Sequence, residues 1–236
     1  MNNIELTVIM PFYNEEQNAS TTVHTWIEEL GKLNISFKLA AYNDGSKDNT
    51  GKVLHKLERD IPELTVIDKE NTGHGPTILS GYRENLNSKW IFQTDSDNEL
   101  PASSFPDIWL NRHNYDFLIG IRKNRQSPLS RKIITGISRL VVTLFYGRGV
   151  HDVNSPYRLM RSSFLRSIVT KIPENTFAPN VIISGLAVLH NLRIYNTPVP
   201  HTPRQMGEVS IKKWKLLMAA LTSFRQTILF RYSLNK

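Results

Sequence analysis

Apolar residues along the first 120 positions alternate between two periods. Residues 6–10 form a short, nearly continuous apolar run closed by Pro11, and Val23, Trp26, Ile27, Leu30 and Leu33 then recur at helical spacing, with Gly31 near the end. The alternation repeats: residues 37–42 precede Val53, Leu54, Leu57 and Ile61, and residues 64–67 precede Ile78, Leu79, Tyr82 and Leu86. A fourth apolar run covers 89–94, and a fifth, 116–120, leads into Arg122. Strands alternating with helices need right-handed crossovers, so the pattern predicts an α/β chain of Rossmann-like type, a mostly parallel twisted sheet flanked by helices.

After residue 125 the pattern changes. Ile133, Ile134, Ile137, Leu140, Val141, Leu144 and Phe145 form one face of a helix punctuated by Arg131, Lys132 and Arg139. Near the end, Trp214, Leu217, Leu221, Phe224, Ile228 and Leu229 are interleaved with Lys212, Lys213, Lys215, Arg225 and Arg231, the pattern of a basic amphipathic helix. Each helix either packs on its own domain with a solvated basic face or lies on a membrane. The expected division is a ligand-binding core over 1–125 and a helical second part, 126–236, of the same domain.

Composition sharpens this. A chain of 236 residues, 40% apolar, buries a sizeable core as one α/β domain with an appended segment. The absence of cysteine excludes disulfides and thiolate metal ligands and suits a reducing compartment. The first residues, with no basic region or long apolar stretch, read as the approach to a strand rather than a signal peptide, and no run reaches the length of a spanning helix. The net charge of +8 hides a division: residues 1–116 hold 10 Lys/Arg against 18 Asp/Glu, and residues 117–236 hold 19 against 3. A basic half points to an anionic membrane surface or a phosphorylated ligand; without zinc-finger spacing, an RNP-like motif or a helix-turn-helix signal, no nucleic-acid partner is expected.

The candidate chemistry lies where strands end. Asp95 and Asp97 alternate just past the fourth strand, where carboxylates point into the crevice in which α/β sheets bind ligands and suit a hard divalent cation that bridges two phosphates. A solvated acidic turn would explain the cluster alone. The first strand closes on Pro11-Phe12-Tyr13-Asn14-Glu15 and the second on Asn43-Asp44-Gly45-Ser46, an aromatic ring and short polar groups suited to a planar base and its ribose.

Taken in order, P-x-Y-N-E, N-D-G-S-x-D-x-T, N-x-G-x-G at Asn71 to Gly75 and D-x-D at Asp95 resemble the family 2 glycosyltransferases over residues 4–125. That resemblance implies a GT-A fold, a nucleotide-diphosphate sugar donor (GDP- or UDP-hexose), inversion at the anomeric carbon, and Mg²⁺ or Mn²⁺ on the D-x-D. It assigns Pro11, Tyr13, Glu15, Asp44, Gly75 and Ser96 to the donor, and Asp95, Asp97 and Glu99 to the metal and pyrophosphate. Where the family usually has two aspartates before Gly-Ser, this chain has Asn43-Asp44. In the basic half, Gly120-Ile121-Arg122, Ser130-Arg131-Lys132, the run from Asp152 to Arg161, and Pro198-Val199-Pro200 with Arg204, Gly207 and Ser210 resemble the corresponding segments of dolichol-phosphate mannose synthase and its bacterial polyprenyl-phosphate relatives. Pro156-Tyr157 replaces a Gly-Phe there. The resemblance implies a polyprenyl-phosphate acceptor held by Arg122, Arg131, Arg158 and Arg204, with Asp95, Asp97, Arg122 and Arg131 catalytic.

The choice of acceptor has its own physical test. A sugar hydroxyl needs a general base, and Glu174 is the only acid between Asp152 and Glu208. A lipid phosphate is already ionised and needs cations instead. The expectation is therefore a peripheral enzyme on the cytosolic face of a membrane. Its rivals are a transferase to a sugar hydroxyl, with Glu174 or Asp152 as base, and a nucleotide-sugar-binding protein without catalysis.

Overall fold

In the structure, a computed structural model, residues 4–123, 129–202 and 213–234 are described, without the side chains of 129–133 and 213–217. Arg204 and the side chain of Arg131 therefore lie outside the described set. The chain begins as expected: β1 (Leu6–Phe12), α1 (Ala19–Gly31), β2 (Phe37–Asp44), α2 (Thr50–Asp60), β3 (Leu64–Lys69), α3 (His74–Glu84) and β4 (Trp90–Gln93). After α4 (Phe105–Asn111) come β5 (Phe117–Lys123), α5 (Leu129–Phe145), β6 (Arg158–Arg161), α6 (Ser162–Ile168), α7 (Pro179–Leu189), β7 (Ile194–Pro200) and α8 (Lys213–Ser233).

The seven strands form one sheet in the order β3-β2-β1-β4-β6-β5-β7. Only β6 runs against its neighbours β4 and β5, so the sheet is mostly parallel and flanked by helices. β1 is buried along its whole length because both faces are covered. Leu6, Val8, Met10 and Phe12 pack with Val23, Trp26 and Leu30 of α1, while Ile9 packs on the other face with Ile78 and Tyr82 of α3.

Pro11 does not stop the first strand, which continues to Phe12 in register with β2. Ile9 points its carbonyl toward Thr94 at the end of β4, so Pro11, two residues on, turns its missing N–H to the same side. β4, whose register with β1 ends at Gln93, has no residue there to pair, and the proline costs no ladder bond.

β6 is joined to the rest by a buried charge. Arg158 is fully buried, and its five N–H positions are all used. Nε and Nη2 donate to the Ser155 carbonyl, Nη2 also to Val153 O, and Nη1 to Asn180 O and Ser184 Oγ. Burial pushes its pKa down to about 10, which leaves it charged at neutral pH. The expectation that Arg158 holds the acceptor is thereby corrected: the residue has neither exposure nor a spare donor, and it fastens the 153–155 loop to α7. Arg158→Met strands these carbonyls, so unfolding in urea should show a loss of about 3–5 kcal/mol, the usual consequence of removing one side of a buried charged interaction.

Candidate active site

The crevice opens at the carboxyl ends of β1, β2 and β4, where strand order reverses about β1. Its first two loops are laced together. Asn14 adopts a left-handed φ of 54°, which asparagine tolerates, accepts from the Lys47 N–H (2.8 Å) and receives Ser46 Oγ on its own N–H (3.1 Å). The Glu15 N–H donates to Thr50 Oγ1 and the Glu16 carboxylate accepts from Asn49, while Asp48 takes the Glu16 N–H. Of the residues expected at the nucleoside, Pro11 and Glu15 are buried in this lacing, and Tyr13 keeps an exposed ring.

Asp44 is turned inward. Its Oδ1 accepts from Lys69 Nζ (2.7 Å) and the Thr72 N–H (2.9 Å), and Oδ2 accepts from the Gly73 N–H (3.0 Å). Burial alone would raise its pKa, but Lys69 and the loop donors hold it below the usual carboxylate value. Asp44 thus shapes the 71–73 loop before α3. Gly45 (φ 63°) passes so close that a Cβ would lie 2.7 Å from Asn71 N. Gly75, expected at the donor, has a packing role instead: its missing Cβ would fall 2.1 Å from Phe177 O and 2.6 Å from Thr176 O.

The Asn43 departure is compensated locally. Asn43 Nδ2 donates to Asp68 Oδ1 (2.7 Å), and its Oδ1 accepts from the Ser46 N–H. Asp68 Oδ2 also meets His55 Nε2 at 2.6 Å, and His55 Nδ1 meets Glu58, so the two carboxylates raise the imidazole's pKa. An aspartate at 43 would face Asp68 across a hydrogen-bond distance.

At the end of β4, Asp95 Oδ1 accepts from His74 Nε2 (2.9 Å), on the first turn of α3, and from Gln93 Nε2 (3.1 Å). Burial would push the Asp95 pKa up, yet the adjacent imidazole holds it down, and Asp95 raises that of His74. Gln93 is fixed by Asn180 Nδ2 (2.9 Å), whose Oδ1 accepts from Tyr82 Oη (2.8 Å). Ser96 is buried, with its carbonyl bonded to Thr22 Oγ1, and Asp97 Oδ1 accepts from the Glu99 N–H. Glu99 leans the other way, to His201 Nε2 (2.9 Å), and the buried His201 Nδ1 has no partner among the described residues.

Asp95, Asp97 and Glu99 were expected to surround a cation together. Among the described residues, no three acidic or imidazole side chains gather to hold one. Asp95 is drawn to His74 and Glu99 to His201, so the three carboxylates are not gathered around one point as expected. As hard oxygen donors, Asp95 and Asp97 suit an ion of the Mg²⁺ type, which completes its shell with substrate phosphates and water.

On the basic side, Arg122 grips Asp152 through two bonds of 2.8 and 2.9 Å, both side chains nearly buried. Burial acts to lower the Arg122 pKa, but Asp152, Asp95 and Glu99 raise it. Glu174 is 89% exposed and pairs with Arg83, nine residues along α3 from His74 and so about 13 Å down the helix axis. Lys69, His74, Gln93, Asn180 and His201 were not singled out from the sequence. Lys69 and His74 flank or lie in the N-x-G-x-G run and His201 follows Pro198-Val199-Pro200, which are the signals that could have found them.

This sheet, its parallel-strand crevice and the D-x-D at the mouth define a GT-A-type glycosyltransferase. The chain belongs to glycosyl transferase family 2, whose family model matches residues 7–169. It is similar to the undecaprenyl-phosphate 4-deoxy-4-formamido-L-arabinose transferase of Proteus mirabilis, 24% identical over 216 residues that cover 90% of this chain and 64% of that protein. The chain thus spans just under two thirds of that relative's length. In fold it is similar to glucosyl-3-phosphoglycerate synthase from Mycobacterium tuberculosis in complex with Mn²⁺, UDP and glucosyl-3-phosphoglycerate (TM-score 0.66, 15% identity, 97% of this chain and 80% of that one). It also resembles a mannosyltransferase from Pyrobaculum calidifontis in complex with GDP-mannose and Mn²⁺ (TM-score 0.59, 13% identity, 97% and 73%).

The Asn43–Asp68 bond makes a specific expectation. Asn43→Asp opposes two carboxylates and should destabilise the protein by about 1–3 kcal/mol at pH 7. The like charge raises the pKa of the carboxyl that takes up the shared proton, so the loss shrinks as pH falls through the carboxylate range. Denaturation of Asn43→Asp and of the double variant with Asp68→Asn checks both points, because the second substitution should restore stability.

Proposed function

We propose that the protein moves a hexose, with inversion at the anomeric carbon, from a nucleotide-diphosphate sugar to a polyprenyl phosphate, dolichyl or undecaprenyl, at the cytosolic face of a membrane. Residues 1–125 would hold the donor and residues 126–236 the acceptor. The observation that carries the reading is the commitment of the two acids proposed as bases: Asp152 is neutralised by Arg122, and Glu174 lies far along α3 on Arg83. A hydroxyl acceptor needs one of them free, whereas an ionised phosphate needs none. The likeness to the undecaprenyl-phosphate 4-deoxy-4-formamido-L-arabinose transferase of Proteus mirabilis supports the same acceptor class.

In this reading the exposed ring of Tyr13 stacks on the base, and Asp44 with Lys69 keeps the 71–73 loop against the donor. Asp95 and Asp97 would hold Mg²⁺ or Mn²⁺ with the donor phosphates; when bound, the cation neutralises charge growing on the departing nucleoside diphosphate. His74 brings a second basic group and the N-terminal end of α3 to the same place. Arg122, fixed by Asp152, borders the crevice from the basic side, and Arg131 and Arg204 would orient the lipid phosphate in line with the anomeric carbon.

The test is an assay with Mn²⁺, a panel of labelled UDP- and GDP-sugars and a polyprenyl phosphate, followed by extraction into organic solvent. Labelled lipid should appear, and both EDTA and Asp97→Ala should abolish it while the fold persists. Arg204→Ala should raise the acceptor KM or lower kcat by roughly tenfold or more while calorimetry shows unchanged nucleotide affinity. Glu174→Gln should be nearly silent. Loss of transfer in Glu174→Gln with donor binding intact would instead mean that a base is required and that the acceptor is a hydroxyl.

A further inference from the structure

α8 is packed inside out. The face it buries carries Ala220, Ser223, Thr227 and Phe230, three of them small or hydroxylated. At 100° per residue, Met218, Leu221, Leu229 and Tyr232 fall within an arc of about 80° on the opposite side, with Arg225 near its middle. These four apolar side chains are 50–59% exposed. α5 shows the same feature: Ile137, Leu140 and Leu144 share one outward face, and Leu144 is 70% exposed. The helices meet where Phe145 and Tyr232 rings touch (6.1 Å between centroids) and Tyr146 Oη donates to Thr227 O, so Leu144 and Leu229 flank one junction. Isolated exposed leucines need no explanation, but two aligned stripes do.

The charge around them selects the occupant. Among the residues whose side chains are described, 134–151 and 218–234 contain four Arg and no Asp or Glu. Beside Leu140 an open groove of about 460 Å³ is lined by Arg139, Arg148 and His151. Its rim is fixed, since Asn196 accepts from the His151 N–H and donates to Gly149 O. A second copy of the chain meeting this face about a two-fold axis would set cation against cation. Nucleic acid would want a stacking platform, and these stripes are aliphatic but for Tyr232. We propose that the outward faces of α5 and α8 dock on an anionic bilayer, with the leucines in the headgroup–acyl boundary and Arg139, Arg148 and Arg225 on lipid phosphates.

Vesicle flotation tests this with the full chain and no nucleotide sugar, so its outcome is independent of the transfer reaction. The protein should float with vesicles containing about 30% phosphatidylglycerol, stay behind with pure phosphatidylcholine, and be released by high salt. Leu144→Glu with Leu221→Glu, and separately Arg139→Glu with Arg148→Glu, should each lower the bound fraction roughly tenfold. Leu110→Glu, at an equally exposed leucine on α4, should bind as the unaltered protein does. Circular dichroism on each variant separates loss of docking from loss of fold. Failure of the unaltered protein to float, or full binding by the Leu144/Leu221 variant, overturns the proposal. Self-association in solution that this variant abolishes would also overturn it and make the face an interface between copies.

Discussion

The guanidinium of Arg158 sets the terms for the second half of the molecule. A buried charge costs several kcal/mol unless every donor is met, and here no carboxylate meets it. Four groups of the chain must converge on it instead: the carbonyls of Val153, Ser155 and Asn180 and the hydroxyl of Ser184. That demand places the loop after Asp152 and the first turn of α7 against β6. Two positions of the candidate site follow from it. Asp152, one residue before Val153, is brought to Arg122, and Asn180 is brought to Gln93, which in turn orients Asp95. The D-x-D carboxylate and the basic rim of the crevice are therefore held by one buried cation, although neither touches it.

The first half of this fold was legible because each of its strands and helices has its own period. β1, β2 and β3 are short, largely apolar runs, and α1, α2 and α3 bury one face each, which is the signal that periodicity detects. The second half hides its elements for definable reasons. α7 is buried on nearly all sides, so Pro179 to Ala187 show no polar face. β7 contains Pro198 and Pro200, which argue against a strand until it is known to lie at the sheet's edge. β6 is four residues with an arginine at each end.

The site divides in the same way. The D-x-D and the two strand-end motifs lie in short contiguous runs, and the structure sets those runs around one crevice. What escaped notice is long-range. His201 reaches Glu99 across 102 positions and Asn180 reaches Gln93 across 87, and a single histidine or asparagine carries no sign of such a partner. The reverse error has the same origin: Arg158 sits in a run resembling an acceptor segment, and sequence does not say whether an arginine turns to the crevice or to the core. Asp44 is similar, a motif carboxylate whose oxygens are spent on Lys69 and the Thr72 and Gly73 amides.

The charge division of the chain becomes intelligible at this seam. The acidic half contributes Asp95, Asp97 and Glu99, and the basic half contributes Arg122 and His201, so the crevice lies where the two fields meet. Within it the described groups meet in pairs: Asp95 with His74, Glu99 with His201, and Asp152 with Arg122. Burial opposes the charge of Asp95, but the adjacent His74 holds its pKa down, so this carboxylate is a poor proton acceptor. A site organised in this manner holds its charged groups in fixed positions on both sides of the crevice. The acidic and the basic half of the chain are joined there by two contacts, Glu99 to His201 and, through the Asn180–Gln93 bond, Asp95 to the second half.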